Sequence, residues 1–334
     1  MNNPTKAIIG FCGFLFSTIA FSTYAQNTNS SATMEVIEEV LVLANHLPSN
    51  VKTVGSSVSA INVGDFARQA NFDVSQLLRT IPNMSVNRAG PLGALTQVRI
   101  RGAEANHTLV LIDGVEVNDV GNGSEFNFAH LAGADISRIE VLRGPQSARF
   151  GADTIGGVIG IFTNQAKEPG VKTHVSLESG SFQTHYGSAG VSVAQSQGEN
   201  LWAGQLNVSR IISDGYSASA LGNEKDGFED SSVRGSLSYQ WGDASLFKVT
   251  LNQSEIDAQG DEQDFDFPST ATQGLVIDAD QNNASKQRFA NILLQTEYFG
   301  WQQQLSISEN SNRSRFFDTG TLISGLNGER TKVD

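Results

Sequence analysis

The stretch from Arg138 to Thr163, RIEVLRGPQSARFGADTIGGVIGIFT, sets two arginines and several glycines between two short apolar runs. Such residues between strands suggest a phosphate-binding loop. The stretch nevertheless lacks Gly-Lys-Ser/Thr, and no G-x-G-x-x-G opens a helix after a strand. Catalytic chemistry has no better footing. His46, His107, His130, His174 and His185 form no H-x-x-x-H pair, and no G-x-S-x-G elbow is present. Asp113, Asp135 and Glu140 lie within strand and turn patterns rather than as a facing carboxylate pair. The chain is expected not to be an enzyme.

The amino terminus indicates export. Lys6 precedes an apolar run from Ala7 to Phe21, and Thr23-Tyr24-Ala25 puts small residues where a signal peptidase reads, with cleavage before Gln26. The run of about 15 residues is short for a membrane-spanning helix, which needs roughly 20. The single cysteine, Cys12, lies inside this leader, so the mature chain can form no disulfide, thiolate nucleophile or thiolate metal site. A net charge of −13 argues against nucleic acid, whose phosphates require clustered Lys and Arg.

Downstream the pattern changes twice. Gln26 to Thr33 is polar and of low complexity, a flexible tail. It leads into MEVIEEVLVL, Met34 to Leu43, which reads equally as an edge strand or as a strand donated to another protein. From Asn50 to about Thr163 the elements are short and mixed. Asp73 is placed to cap a helix over VSQLLRT ending at Ile81-Pro82, and TQVRIRG alternates with period two. HTLVLIDGVEV, His107 to Val117, reads as two strands joined at Asp113-Gly114. Arg138 to Leu142 and Val158 to Phe162 supply two more strands.

After Asn164, runs of about nine to eleven residues alternate apolar with polar, aromatics near their ends. Trp202, Gly204, Leu206 and Val208 alternate with Ala203, Gln205, Asn207 and Ser209, and Val233, Gly235, Leu237, Tyr239 and Trp241 repeat the pattern. A soluble sandwich also alternates. Here, however, the non-apolar face is almost uniformly Ser, Asn, Gln and charged. Short connections (Trp241 to Ala244) also alternate with long ones (Ser213–Asp230, Glu255–Lys286). Transmembrane strands with a polar inner face are the better reading.

LRTIPNMSV, VRIRG, LVLIDGVEV and ISRIEVLRGPQSARFGADTIGGVIGIFT follow one another in an order and spacing that resemble the plug domain of TonB-dependent outer-membrane receptors, over most of Leu41 to Thr163. EEVLVLAN resembles the TonB box, which implies that Glu39, Val40, Leu41, Val42 and Leu43 pair with the TonB energy-transducing protein in the periplasm. The resemblance implies an α+β plug inside an antiparallel transmembrane β-barrel of roughly 22 strands, in the outer membrane of a Gram-negative bacterium. Ligand then binds at the outer face, outer-membrane lipids surround the wall, and pulling on the box loosens the plug. It also implies that Arg101 and Arg143 make plug–barrel contacts with carboxylates of the wall or with neighbouring plug groups, a task for which a guanidinium fork is suited.

The expected organisation is a signal peptide at 1–25, a tail with the box at 26–49, a plug at 50–165, and the start of a barrel at 166–334. The last span suffices for roughly eight strands, too few to enclose a plug. The chain also closes on NGERTKVD rather than on an amphipathic strand with a terminal aromatic, so it is expected to be incomplete. A non-transporting remnant of a disrupted receptor gene is the alternative of another class.

Two acidic segments, SDGYSASALGNEKDGFEDSSVRG and LNQSEIDAQGDEQDFDFPS, resemble early outer loops of the cobalamin receptor branch. That resemblance implies cobalamin as ligand and Ca²⁺ held by Glu224, Asp226, Asp257, Asp261 and Asp264, with Asp266 a further candidate. Calcium takes six to eight oxygens from flexible loops, and the spacing is not that of an EF-hand. No cofactor is otherwise required. A ferric-siderophore or haem receptor of the same architecture is the nearest rival.

Overall fold

Thr108–Ile112 is apolar almost without interruption, which is what a strand covered on both faces demands. In the structure, a computed structural model, this strand lies inside a five-stranded sheet. The described residues are 40–41, 49–50, 57–63, 73–131, 136–220, 222, 224–242 and 244–334. They belong to one unit, 39–334. The expected leader and most of the tail lie outside the described residues.

In chain order the first elements are β1 (Val40–Leu41), β2 (Ser49–Asn50), β3 (Ser57–Asn62), α1 (Val74–Leu78), β4 (Met84–Arg88) and β5 (Thr96–Ile100). Then come β6 (Thr108–Ile112), β7 (Val115–Glu116), β8 (Ile136–Arg143), α2 (Ser147–Phe150) and β9 (Gly157–Thr163). The plug sheet runs in the order β3-β8-β9-β6-β7, and only the β6–β9 pair is parallel. Val110, Ile112, Ile139, Val141, Ile159 and Ile161 form the core on one face. Leu109, Leu111, Leu142 and Val158 form the core on the other. The expected turn at Asp113-Gly114 forms with φ of 48° and 87°, the double positive φ of a type I′ hairpin. The Asp113 carboxylate also accepts from the Thr163 amide at 3.0 Å and hydroxyl at 2.7 Å, a tie between strand ends.

The glycine-rich stretch between β8 and β9 is a self-closed loop. Gly144 N–H donates to the Gly156 carbonyl at 2.9 Å, and Gln146 N–H to that of Thr154 at 2.9 Å, around the single turn of α2. Gly157 has φ 153°, and a Cβ there would stand 2.2 Å from the Leu142 carbonyl oxygen, so only glycine lets β9 turn back this closely onto β8. Glu140 is wholly buried beside it and pairs with Arg138 at 2.9 Å, a structural role.

The second half is an eight-stranded antiparallel sheet in sequential order: β10 (Gly170–Gly180), β11 (Thr184–Gln197), β12 (Asn200–Ser213), β13 (Phe228–Trp241), β14 (Ser245–Gln263), β15 (Val276–Tyr298), β16 (Trp301–Asp318) and β17 (Thr321–Val333). The count agrees with expectation; the lengths do not. β14, β15 and β16 run to 19, 23 and 18 residues, so most of the expected loop Glu255–Lys286 is strand and only 264–275 connects β14 to β15. Ladder hydrogen bonds continue where both faces are polar and the alternation that marks a strand in sequence fades.

Leu177, Leu206, Leu237, Leu251, Ile292 and Leu305 are exposed, whereas Asn207, Thr250, Asn252, Gln287, Asn291, Ser308 and Asn310 are buried. This distribution is inverted relative to a soluble sandwich. It suits an outer face in hydrocarbon and an inner face covered by the plug. Trp202, Tyr239 and Trp241 stack on the outer face near the short turns, with centroids 4.1 and 5.6 Å apart.

Asp73 caps α1 as expected, accepting from the Ser75 amide at 3.0 Å, and it also pairs with Arg88 of β4. Burial raises its pKa, but the Ser75 bond and the Arg88 charge outweigh burial and hold it below the ordinary carboxylate value. Its contribution is therefore present above the unfolded pKa and lost as pH falls through the folded one. Asp73→Ala should destabilise the refolded chain by about 1–2 kcal/mol in urea unfolding at neutral pH, with the difference from wild type shrinking in acid.

Candidate functional site

Of the expected box, Val40–Leu41 forms a two-residue antiparallel ladder with Ser49–Asn50, separate from the plug sheet. Glu39, Val42 and Leu43 lie outside the described residues.

The expected carboxylate partners of Arg101 and Arg143 are not found among the described residues. Arg143 lies opposite Ser57 in the β3–β8 ladder, and its guanidinium donates to Ser57 Oγ at 3.1 Å, Ser59 Oγ at 2.9 Å, the Pro82 carbonyl at 3.2 Å and the Val58 carbonyl at 3.3 Å. Its contacts are thus with neighbouring plug groups, binding β3 and the turn after α1 to β8. Partial burial and the nearby charge of Arg101 lower its pKa. Arg101 is exposed at a positive φ of 54°.

Among the described residues, the ion pair between plug and wall is that of Glu116 of β7 with Arg330 of β17. Three hydrogen bonds accompany it. Gln287 Nε2 donates to the Val117 carbonyl at 3.0 Å, and Asn310 Nδ2 to that of Asn118 at 3.3 Å. Ser285 Oγ meets His130 Nε2 at 3.0 Å. Burial pushes the His130 imidazole down to about 4, so it stands neutral at this contact. Apolar contact is confined to patches. Phe289 joins the plug core, while Leu92 and Ala129 meet Tyr186, Ile211, Phe228 and Ile256. Gly121 and Gly328 bring plug and wall backbones together, a Cβ on Gly121 lying 2.8 Å from the Asn327 carbonyl. Sequence reasoning missed these residues because nothing local says which polar wall residue meets which plug carbonyl.

At the long-loop end, carboxylate oxygens of Glu224, Asp261 and Asp278 lie within 4.8 Å of one another. Asp226 is buried nearby, its Oδ2 accepting from the Ala218 amide at 2.9 Å. Asp261 Oδ2 accepts from the Ser219 amide at 2.6 Å and from Ser217 Oγ at 3.0 Å. Partial burial, a hydrogen bond shared with Asp261 and the charges of Asp278, Asp261 and Asp226 push Glu224 up to about 7. Thus Glu224, Asp226 and Asp261 of the expected set do converge. Two others do not. Asp257 is exposed in the ladder opposite Glu229. Asp264 organises its own loop, accepting from the Asp266 amide at 2.9 Å and from Thr272 Oγ1 at 2.7 Å. Asp278 was missed because its segment read as loop, whereas it opens β15 and returns beside the end of β14.

Gly121→Ala tests the plug–wall contact without demanding a positive φ. The methyl group should force the two backbones apart at a cost of about 1–3 kcal/mol. The expected readout is faster proteolytic cleavage of the plug in the refolded chain; unchanged cleavage would mean that this approach does not hold the plug.

Residues 50–158 match the family described as TonB-dependent Receptor Plug Domain. Among solved structures, a variant of the ferric enterobactin receptor from Pseudomonas aeruginosa matches with a TM-score of 0.60 and 19% identity, over 84% of this chain and 45% of that one. The ferripyoverdine receptor of the outer membrane of Pseudomonas aeruginosa matches with a TM-score of 0.55 and 14% identity, over 88% and 50%. The chain therefore spans about half the length of the structures that it matches. Over 50–158 the chain is similar to the TonB-dependent receptor plug domain, and its fold is that plug followed by an eight-stranded antiparallel sheet, as in the start of the receptor barrels that it matches in fold.

Proposed function

We propose that this chain belongs to an outer-membrane receptor of a Gram-negative cell that takes up a scarce ligand by energy-coupled displacement of the plug. The observation that carries the reading is the contact between plug and wall. Among the described residues, one ion pair, three hydrogen bonds and small apolar patches hold the plug against a largely polar surface. Water can replace each of these bonds at modest cost, so a pull can release the plug without unfolding the wall. The TonB energy-transducing protein is the proposed partner, engaging residues 39–43 by strand addition. Val40→Pro or Leu41→Pro in the full-length receptor should abolish uptake and leave ligand binding intact. Equal loss of both would mean that the segment stabilises the fold instead.

For the ligand we favour a ferric siderophore, because the receptors matched in fold include ones for ferric enterobactin and ferripyoverdine. Cobalamin stays as a second reading, supported by the convergence of Glu224, Asp261 and Asp278 in loops that resemble the cobalamin branch. Binding of each chelate to the full-length receptor separates the two.

The acidic cluster would hold Ca²⁺ through carboxylates of Glu224, Asp226, Asp261 and Asp278. Glu224 stands at about 7 without the ion, so calcium must displace its proton and the apparent affinity should fall as pH drops through that value. Asp278→Asn should weaken binding in isothermal titration, and Asp257→Ala should not. Calcium affinity indifferent to both pH and Asp278 would reject the site.

A further inference from the structure

The inner face of the wall holds a buried lysine that the contacts between plug and wall leave out. Lys248 of β14 lies between Phe247 and Val249 of the outward face, so its side chain points to the polar inner side, where it is 8% exposed. An ammonium taken out of water is costly unless a counter-charge and acceptors meet it. Lys248 makes no ion pair and no side-chain hydrogen bond with another described residue. Ionisable groups at membrane depth face protein interiors or aqueous cavities, and they mark sites where charge is handled.

Antiparallel register supplies the surroundings. Lys248 lies opposite Ser238 of β13 and Leu293 of β15. The next row across the inner face is Gln205, Ser236, Thr250 and Asn291, and the row on the other side is Leu201, Gln240, Leu246 and Gln295. None of these residues is acidic. Gln165 and Ala166, in the segment joining β9 to β10, line one cavity with Gln205, Ser236, Ser238 and Lys248. The side chains of Gln165, Gln205, Ser236 and Ser238 also make no hydrogen bond to another described residue. Opposite Ser236, Thr250 Oγ1 is buried and unpartnered.

We propose that Lys248, with Ser236, Ser238, Gln205 and Gln165, forms a binding site for a small oxyanion, a carboxylate or phosphate group, on the inner face of the wall. Lys248 supplies the charge and three N–H donors, the serines O–H donors and the glutamines N–H donors. Such charge-assisted bonds are roughly twice as strong as neutral ones. A cation would be repelled by the ammonium, and a neutral polar molecule would leave its charge unbalanced. Because Gln165 belongs to the connection and Lys248 to the wall, a bound oxyanion bridges the two.

The site needs only the fold and stands apart from the transport reading. Isothermal titration of the full chain, refolded in detergent, with inorganic phosphate and with acetate tests it. Wild type should bind at least one of the two, and their comparison tells which group fits better. Lys248→Met should weaken that binding about ten-fold or more, and Ser238→Ala should weaken it by a smaller factor. Lys172→Met, which removes an exposed lysine paired with Glu168, should leave it unchanged. Circular dichroism of each variant checks that the sheet has formed. Binding that survives in Lys248→Met, or that falls equally in Lys172→Met, would overturn the site, as would a wild type that binds neither anion. Should Lys248→Met fail to refold, unchanged binding in Ser238→Ala would overturn it.

Discussion

The polar inner face of the eight-stranded sheet is the constraint from which the rest of the architecture follows. Asn207, Asn252, Gln287, Asn291, Asn310 and Asn312 point to the side away from the exposed leucines, and each is buried. Buried amides are tolerated only when their hydrogen bonds are met. What covers them must therefore offer polar groups. The plug meets part of that demand: the backbone carbonyls of Val117 and Asn118 accept from Gln287 and Asn310, and His130 and Glu116 meet Ser285 and Arg330 of the wall. Its own stability comes from elsewhere, from a two-sided apolar core built on β6, β8 and β9.

This division of labour accounts for the different chemistry of the two halves. Inside the plug, apolar side chains are buried on both faces of the sheet. Between plug and wall, contacts are mostly polar and the apolar ones are confined to a few side chains around Phe228 and Phe289. Arg143, expected to meet either wall carboxylates or neighbouring plug groups, hydrogen-bonds to β3 within the plug. The bridging charge pair came from residues with no distinguishing sequence context.

Much of the fold was legible in sequence because it rests on local and periodic rules. The Asp73 cap, the Asp113-Gly114 hairpin and the apolar runs of β6, β8 and β9 each express a preference carried by a few adjacent residues. Alternation from β10 to β16 follows from the period of two that any half-buried strand imposes. Where polarity extends over both faces, as along β14 beyond Gln253 and at the start of β15, that signal vanishes although the ladder continues. This is why the strands proved longer, and the loop between them shorter, than expected.

The acidic cluster divides the same way. Residue type marked these loops as acidic, and resemblance pointed to Glu224, Asp226, Asp257, Asp261 and Asp264. Only the pairing of β14 with β15, shifted in register between Gly260 and Glu262, brings Asp278 to Asp261 and leaves Asp257 facing outward. Likewise antiparallel register alone sets Lys286 opposite Arg313, twenty-seven positions away in the chain. The sequence by itself determined the type of most main elements, because these depend on composition and short-range periodicity. Which charges meet was decided by the tertiary structure alone, because register is a property of two strands and neither strand carries it.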